Sequence, residues 1–132
     1  MAILAPMAAE PCDNLYLSPH LDDVVLSCGG TIHRCAARGA RSTVVTIFAG
    51  SPGDDGLTAF ARELKERWGG AGDPVGVRRQ EDLEATRAVG ADAVHLDLLD
   101  CVYRTGARSG AALYPTVEHI FGDVHPEEAS LY

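Results

Sequence analysis

Apolar positions along the chain change period several times, and each change predicts an element. Residues 14–18, NLYLS, form a short apolar run. From Leu21 the spacing becomes three to four, with Leu21, Val25, Cys28, Ile32 and Cys35 on one stripe and Gly39 as a stop. That pattern predicts a helix over roughly residues 22–38. Gly29 and Gly30 lie inside it, where glycine costs about 1 kcal/mol per position, so a close contact with the sheet is expected to offset them.

Residues 43–49, TVVTIFA, are rich in β-branched side chains and continuous in apolarity, as a parallel strand covered on both faces requires. Turn formers in GSPGDDG then precede a helix at 57–67. GGAGDP ends it, and Pro74 opens another helix that stops at Gly90. DAVHLDLLD, residues 92–100, reads as a third strand. Beyond it, 102–114 reads as loop, PTVEHIFGD as one or two helical turns and VHPEEASLY as loop.

Strands alternating with helices predict an α/β, Rossmann-like three-layer sandwich with a mostly parallel sheet. One domain is expected over 1–132, with 1–12 as an arm. Sheets of this kind commonly have about four to six strands, so three leave the sheet incomplete on its C-terminal side. An exposed edge and uncovered apolar surface follow, and with them self-association or binding of a separate C-terminal fragment.

Charge narrows the partners. With 19 acidic and 11 basic side chains the net charge is -8, and no basic stripe is visible, so nucleic acid is excluded as the default partner. The alternating signs of GVRRQEDLEATR read as a solvated helix face. The four cysteines form no CxxC pair and suit a reducing compartment. No apolar run approaches the ~20 residues of a membrane span. MAILAPMAAEP lacks the basic segment and sustained apolar core of a secretory signal, so a cytoplasmic location is expected.

The candidate chemistry lies in SPHLDDVVLSCGG. His20, Asp22 and Asp23 follow the first strand at the carboxyl edge, where open α/β sheets place ligands. Neighbouring residues at a helix start point in different directions, so the two carboxylates can serve different partners. A histidine and an aspartate can form a zinc pair beside a helix N-terminus. The alternative is that one aspartate caps the helix and His20 is an ordinary loop residue. FAGSPGDDG, after the second strand, would lie alongside.

SPHLDDVVLSCGG resembles the His-Pro-Asp-Asp motif of the PIG-L, or LmbE-like, deacetylases. TVVTIFAGSPG, RRQEDLEA and VHLDLLDCVYR are further matches, so the likeness runs from about residue 14 to 106 in the family's order. The resemblance implies a Rossmann-like fold and zinc-dependent hydrolysis of the N-acetyl group of an N-acetylglucosamine conjugate, a small amino-sugar substrate. It implies His20 and Asp23 as zinc ligands and Asp22 as the base that takes a proton from zinc-bound water. It also implies Asp100 as the acidic pocket residue and Arg78 or Arg79 as the sugar-contacting arginine. Tyr103 and Arg104, just after Asp100, are expected to line the same pocket.

Two departures stand out. Leu21 and Val24 replace the proline and the acidic residue usual in the motif. The third zinc ligand, which the family takes from a later histidine cluster, has no counterpart among His95, His119 and His125. His95, within a strand, reads as a core or surface residue. The chain is therefore expected to be the amino-terminal half of such an enzyme. Two other classes compete: an impaired scaffold or interaction module, and a magnesium-dependent α/β phosphohydrolase using Asp22 and Asp23. The second finds no phosphate-binding glycine loop.

Overall fold

The computed structural model describes residues 12–53, 55–68 and 72–131. Nearly all of the expected arm lies outside them. The described chain builds a three-stranded parallel sheet in the order β1-β2-β3, with β1 Asn14–Ser18, β2 Ser42–Thr46 and β3 Asp92–His95. Leu17 stands opposite Val45, and Val45 opposite Val94. Helix α1, Asp23–Ala36, joins β1 to β2. Helices α2, Ala59–Arg67, and α3, Pro74–Ala88, lie between β2 and β3. The α/β, Rossmann-like architecture with an incomplete, parallel sheet is thus the one that the hydrophobic periods predict.

Local chemistry sets the helix starts. The Thr58 hydroxyl accepts from the Ala61 N–H at 3.0 Å. The Asp73 carboxylate does the same for Gly76 at 3.0 Å, with Pro74 in the first turn, where its missing N–H costs nothing. Ser51 Oγ also donates to Asp73 at 2.7 Å, fastening the loop after β2 to the start of α3.

Helices α1 and α3 cover one face of the sheet. Val24, Ile32 and Val44 are buried there, with Tyr16, Cys28, Val89 and Ala91 packed around them. Each such aliphatic side chain stabilises the fold by roughly 1.5–3 kcal/mol. On the opposite face Leu15 and Leu17 are 61% and 62% exposed. A second core joins α2 to the C-terminal segment: Ala61, Val102 and Tyr103, flanked by Phe60, Leu64, Leu99 and Ile120. A short 3-10 turn at Cys101–Tyr103, helix α4 at Val117–Ile120 and a 3-10 turn at Pro126–Leu131 shape that segment.

Three local expectations are corrected. β2 ends at Thr46 and β3 at His95, short of residues 49 and 100. Past those points the pairing changes: Phe48 bridges Asp97 in antiparallel fashion, and the Gly50 N–H donates to the Leu98 carbonyl at 2.9 Å. The glycine pair of α1 does not meet the sheet. A β-carbon at Gly29 would lie 3.4 Å from Val89, just beyond α3, and one at Gly30 would meet nothing within 4 Å. Lastly, α3 is not merely a solvated face, since Asp82 and Thr86 are 1% and 0% exposed.

Among the described residues no helix is long and apolar enough to cross a membrane.

Candidate functional site

The carboxyl ends of the three strands deliver the site. After β1, the Ser18 hydroxyl donates to the His20 carbonyl at 2.7 Å and accepts from the Val24 N–H at 3.3 Å, clamping the loop into the start of α1. Asp23, the first helical residue, turns its carboxylate back to accept from the His20 N–H at 3.0 Å. Asp22 occupies the N-cap position at φ 79°, the left-handed region, and its side chain makes no capping bond. Its N–H instead donates to Asp82 Oδ1 at 3.0 Å, and its carboxylate accepts from the Arg78 guanidinium.

His20 sits between two carboxylates, with Nδ1 3.4 Å from Asp23 and Nε2 3.5 Å from Asp100. The hydrogen bond to Asp100 raises its proton affinity above the ordinary value of 6.5. Burial opposes that shift, and the charges of Asp100 and Asp23 add to it. Burial acts to raise Asp100 in turn, but the bonds from His20 and Cys101, with the His20 charge, outweigh it and hold the carboxyl below its usual range. The two shifts agree in direction, as an ion pair requires.

A cavity of about 320 Å³ opens over this pair. His20, Arg78 and Asp100 supply its charged lining, while Leu21, Phe48, Trp68, Val75 and Tyr103 supply apolar walls. The His20 and Phe48 rings lie 5.8 Å apart. The Tyr103 hydroxyl is buried without a partner, and burial, followed by the nearby Asp100 charge, pushes it up to about 12.

Of the residues expected at the site, His20, Arg78, Asp100 and Tyr103 line one cavity, and Asp22 and Asp23 adjoin it through Arg78 and His20. Arg79 turns away, donating to the Ala49 carbonyl at 2.9 Å and to Asp97 at 2.7 Å. Arg104 lies 4.7 Å behind the Phe48 ring and donates to the Leu99 carbonyl and to Glu128, both at 2.9 Å. It buttresses a wall rather than lining the cavity.

Phe48, Trp68 and Val75 were invisible as site residues in the sequence, where an apolar side chain in an α/β unit reads as core. Asp82 was hidden inside a run of alternating charges. The spacing Arg78 to Asp82, one helical turn, was the available signal.

The zinc expectations do not survive this geometry. Among the described residues no group of three or more histidine, cysteine, aspartate or glutamate side chains is placed to hold a metal ion. Zinc ligation needs nitrogen and oxygen donors converging within ~2 Å of one point. Here the two His20 nitrogens face different carboxylates, and Asp22 is engaged by Arg78. This arrangement runs against zinc as cofactor, zinc-activated water and zinc-dependent deacetylation. The magnesium reading fails with them, because the two neighbouring carboxylates diverge.

The family model described as "PIG-L: GlcNAc-PI de-N-acetylase" matches residues 15–128. The match expected to end near residue 106, as an amino-terminal half alone, is therefore too narrow. A 2'-N-acetylparomamine deacetylase of Niallia circulans is 28% identical over 136 residues, covering 89% of this chain and 46% of its own length. Among solved structures, the zinc-inhibited form of teicoplanin deacetylase aligns with a TM-score of 0.72 and 36% identity, over 80% of this chain and 40% of that one. The deacetylase of the teicoplanin pathway in complex with teicoplanin aligns at 0.69 and 36%, over 76% and 39%. The chain spans less than half the length of these relatives. With a model match over 15–128 and a site assembled from the same strand ends as its motifs, the chain belongs to the PIG-L family of GlcNAc-PI de-N-acetylases.

Proposed function

We propose that this chain forms the amino-sugar site of a deacetylase, binding an N-acetylated amino-sugar conjugate and handling the proton of amide hydrolysis. One observation carries the reading: His20, between Asp100 and Asp23, lines a cavity whose other walls are largely apolar and aromatic. The aromatic walls suit the faces of a sugar ring, and Arg78 supplies a donor for its oxygens. The relatives named above are deacetylases of paromamine and teicoplanin compounds, which supports an amino sugar on a larger carrier.

In the proposed reaction water adds to the acetyl carbon, the carbon–nitrogen bond breaks, and acetate and a free amine leave. His20 takes a proton as water adds and returns it to the departing nitrogen, while Asp100 steadies the imidazolium in between. Arg78 faces the cavity as a donor for the charge that develops on the carbonyl oxygen. Asp22 holds that arginine in place.

Titration with N-acetylglucosaminides and with 2'-N-acetylparomamine, followed by the His20 ring resonances and by amine release, tests the proposal. Binding that shifts His20, with His20→Asn lowering amine release by about 100-fold or more, supports it. A His20 resonance unmoved by every N-acetylated amino sugar overturns it.

A further inference from the structure

Beneath the site lies a buried pair that the reaction does not touch. Asp82 on α3 and His95 at the end of β3 meet at 2.7 Å, with side chains only 2% and 4% exposed. The second carboxylate oxygen of Asp82 accepts from the Asp22 N–H at 3.0 Å, and Thr46 Oγ1 stands 3.4 Å from the first. Among the described residues Asp22 is the single non-glycine at positive φ, a conformation that persists only where the surroundings over-determine it. Those surroundings are visible. Helix α3 grips Asp22 twice, by its side chain through Arg78 and, one turn later, by its backbone through Asp82.

We propose that Asp82 and His95 form a positioning pair: His95 orients the Asp82 carboxylate, which fixes the left-handed Asp22 backbone and so places His20 against Asp100. This deepens the proposed function and rests on it for its catalytic meaning, but its geometry is independent of any substrate. A buried carboxylate is a poor choice for stability alone, because apolar residues of similar volume commonly serve as well or better. Here it bonds simultaneously to β2, to β3 and to the one strained residue of the loop.

Heteronuclear spectra of the full chain test the pair, read at the Asp22 amide and the His20 ring nitrogens. The variants are Asp82→Asn, His95→Gln and, as a core control away from the loop, Val44→Ala. Asp82→Asn is expected to speed Asp22 amide exchange at least about tenfold beyond the control and to shift the His20 ring resonances, which the control leaves in place. His95→Gln, which keeps a donor for Asp82, is expected to give the same changes at smaller size.

Wild-type exchange and wild-type His20 signals in Asp82→Asn, or equal changes in Val44→Ala, overturn the proposal. Should Asp82→Asn fail to fold, His95→Gln decides by the same two signals. Neither readout needs a ligand. Shifts of this kind in a protein that binds no N-acetylated amino sugar would leave the positioning pair standing and remove the proposed function.

Discussion

Replacing Gly50 by alanine should unfasten the site without touching any of its charged groups. A β-carbon at Gly50 would lie 2.6 Å from the Asp97 carbonyl oxygen and 2.9 Å from that of Leu98. Both are backbone atoms that cannot rotate aside. Restoring ordinary contact near 3.4 Å requires the two loops to part by about 0.8 Å. That movement strains or breaks the bond from the Gly50 N–H to Leu98, worth about 1 kcal/mol net, and overpacking adds roughly 1–3 kcal/mol. The sum, about 2–4 kcal/mol, corresponds to a fall in Tm of roughly 8–16 °C for a domain of this size. The Leu98 loop leads into Asp100, so the His20 resonances should shift as well. Thermal unfolding and a one-dimensional imidazole spectrum are sufficient assays. A Tm within about 2 °C of the wild type would refute the reasoning.

Gly30→Ala is the converse: nothing lies within 4 Å of the added carbon, so the helix should gain about 0.5–1 kcal/mol, and a lower Tm would contradict that. Cys101, pushed up to about 11 chiefly by burial and then by Asp100, should carry only ~10⁻⁴ thiolate at pH 7; iodoacetamide should modify exposed Cys12 first, and equal rates would refute this. The His20–Asp100 pair should be at full strength between about pH 4 and 6.5. His20, raised above 6.5, contributes stability that is complete below that value and lost as pH rises through its folded pKa. Asp100, lowered below 3.8, contributes above that value and loses it as pH falls through its folded pKa. Asp100→Asn should therefore lower the His20 pKa and flatten stability at both ends of the window; a His20 titration that stays put would refute it.

The fold was legible because its strands and helices announce themselves within short windows. The β-branched run at Thr43–Thr46 and the stripe Val25, Cys28, Ile32 each carry their own period, and Gly39, Pro74 and Gly90 mark element ends. What the windows missed depends on distant partners. β3 stops at His95 although apolar residues continue, because Phe48 and Gly50 reach across to residues 97 and 98. Likewise, the charges of α3 look solvated in isolation. Only the arrival of β2, β3 and the Asp22 loop makes Asp82 a buried acceptor.

The site shows the same division more sharply. Composition and spacing located three polar side chains at a strand end, and the strand end is where the cavity is. Their partners were another matter. A left-handed Asp22 followed by a helical Asp23 sends two adjacent carboxylates in opposite directions, one to an arginine 56 residues away and one back to His20. The helix start predicts that divergence, and the partners are an arginine and a histidine rather than a metal and its water. In the left-handed state the Asp22 carboxylate turns to α3 and pairs with Arg78, while the His20 ring lies between Asp23 and Asp100. With Asp22 so committed, His20 lines the cavity with its imidazole held between Asp23 and Asp100. The geometry of this site therefore rests on a backbone conformation that α3 holds at two points, through Arg78 and through Asp82.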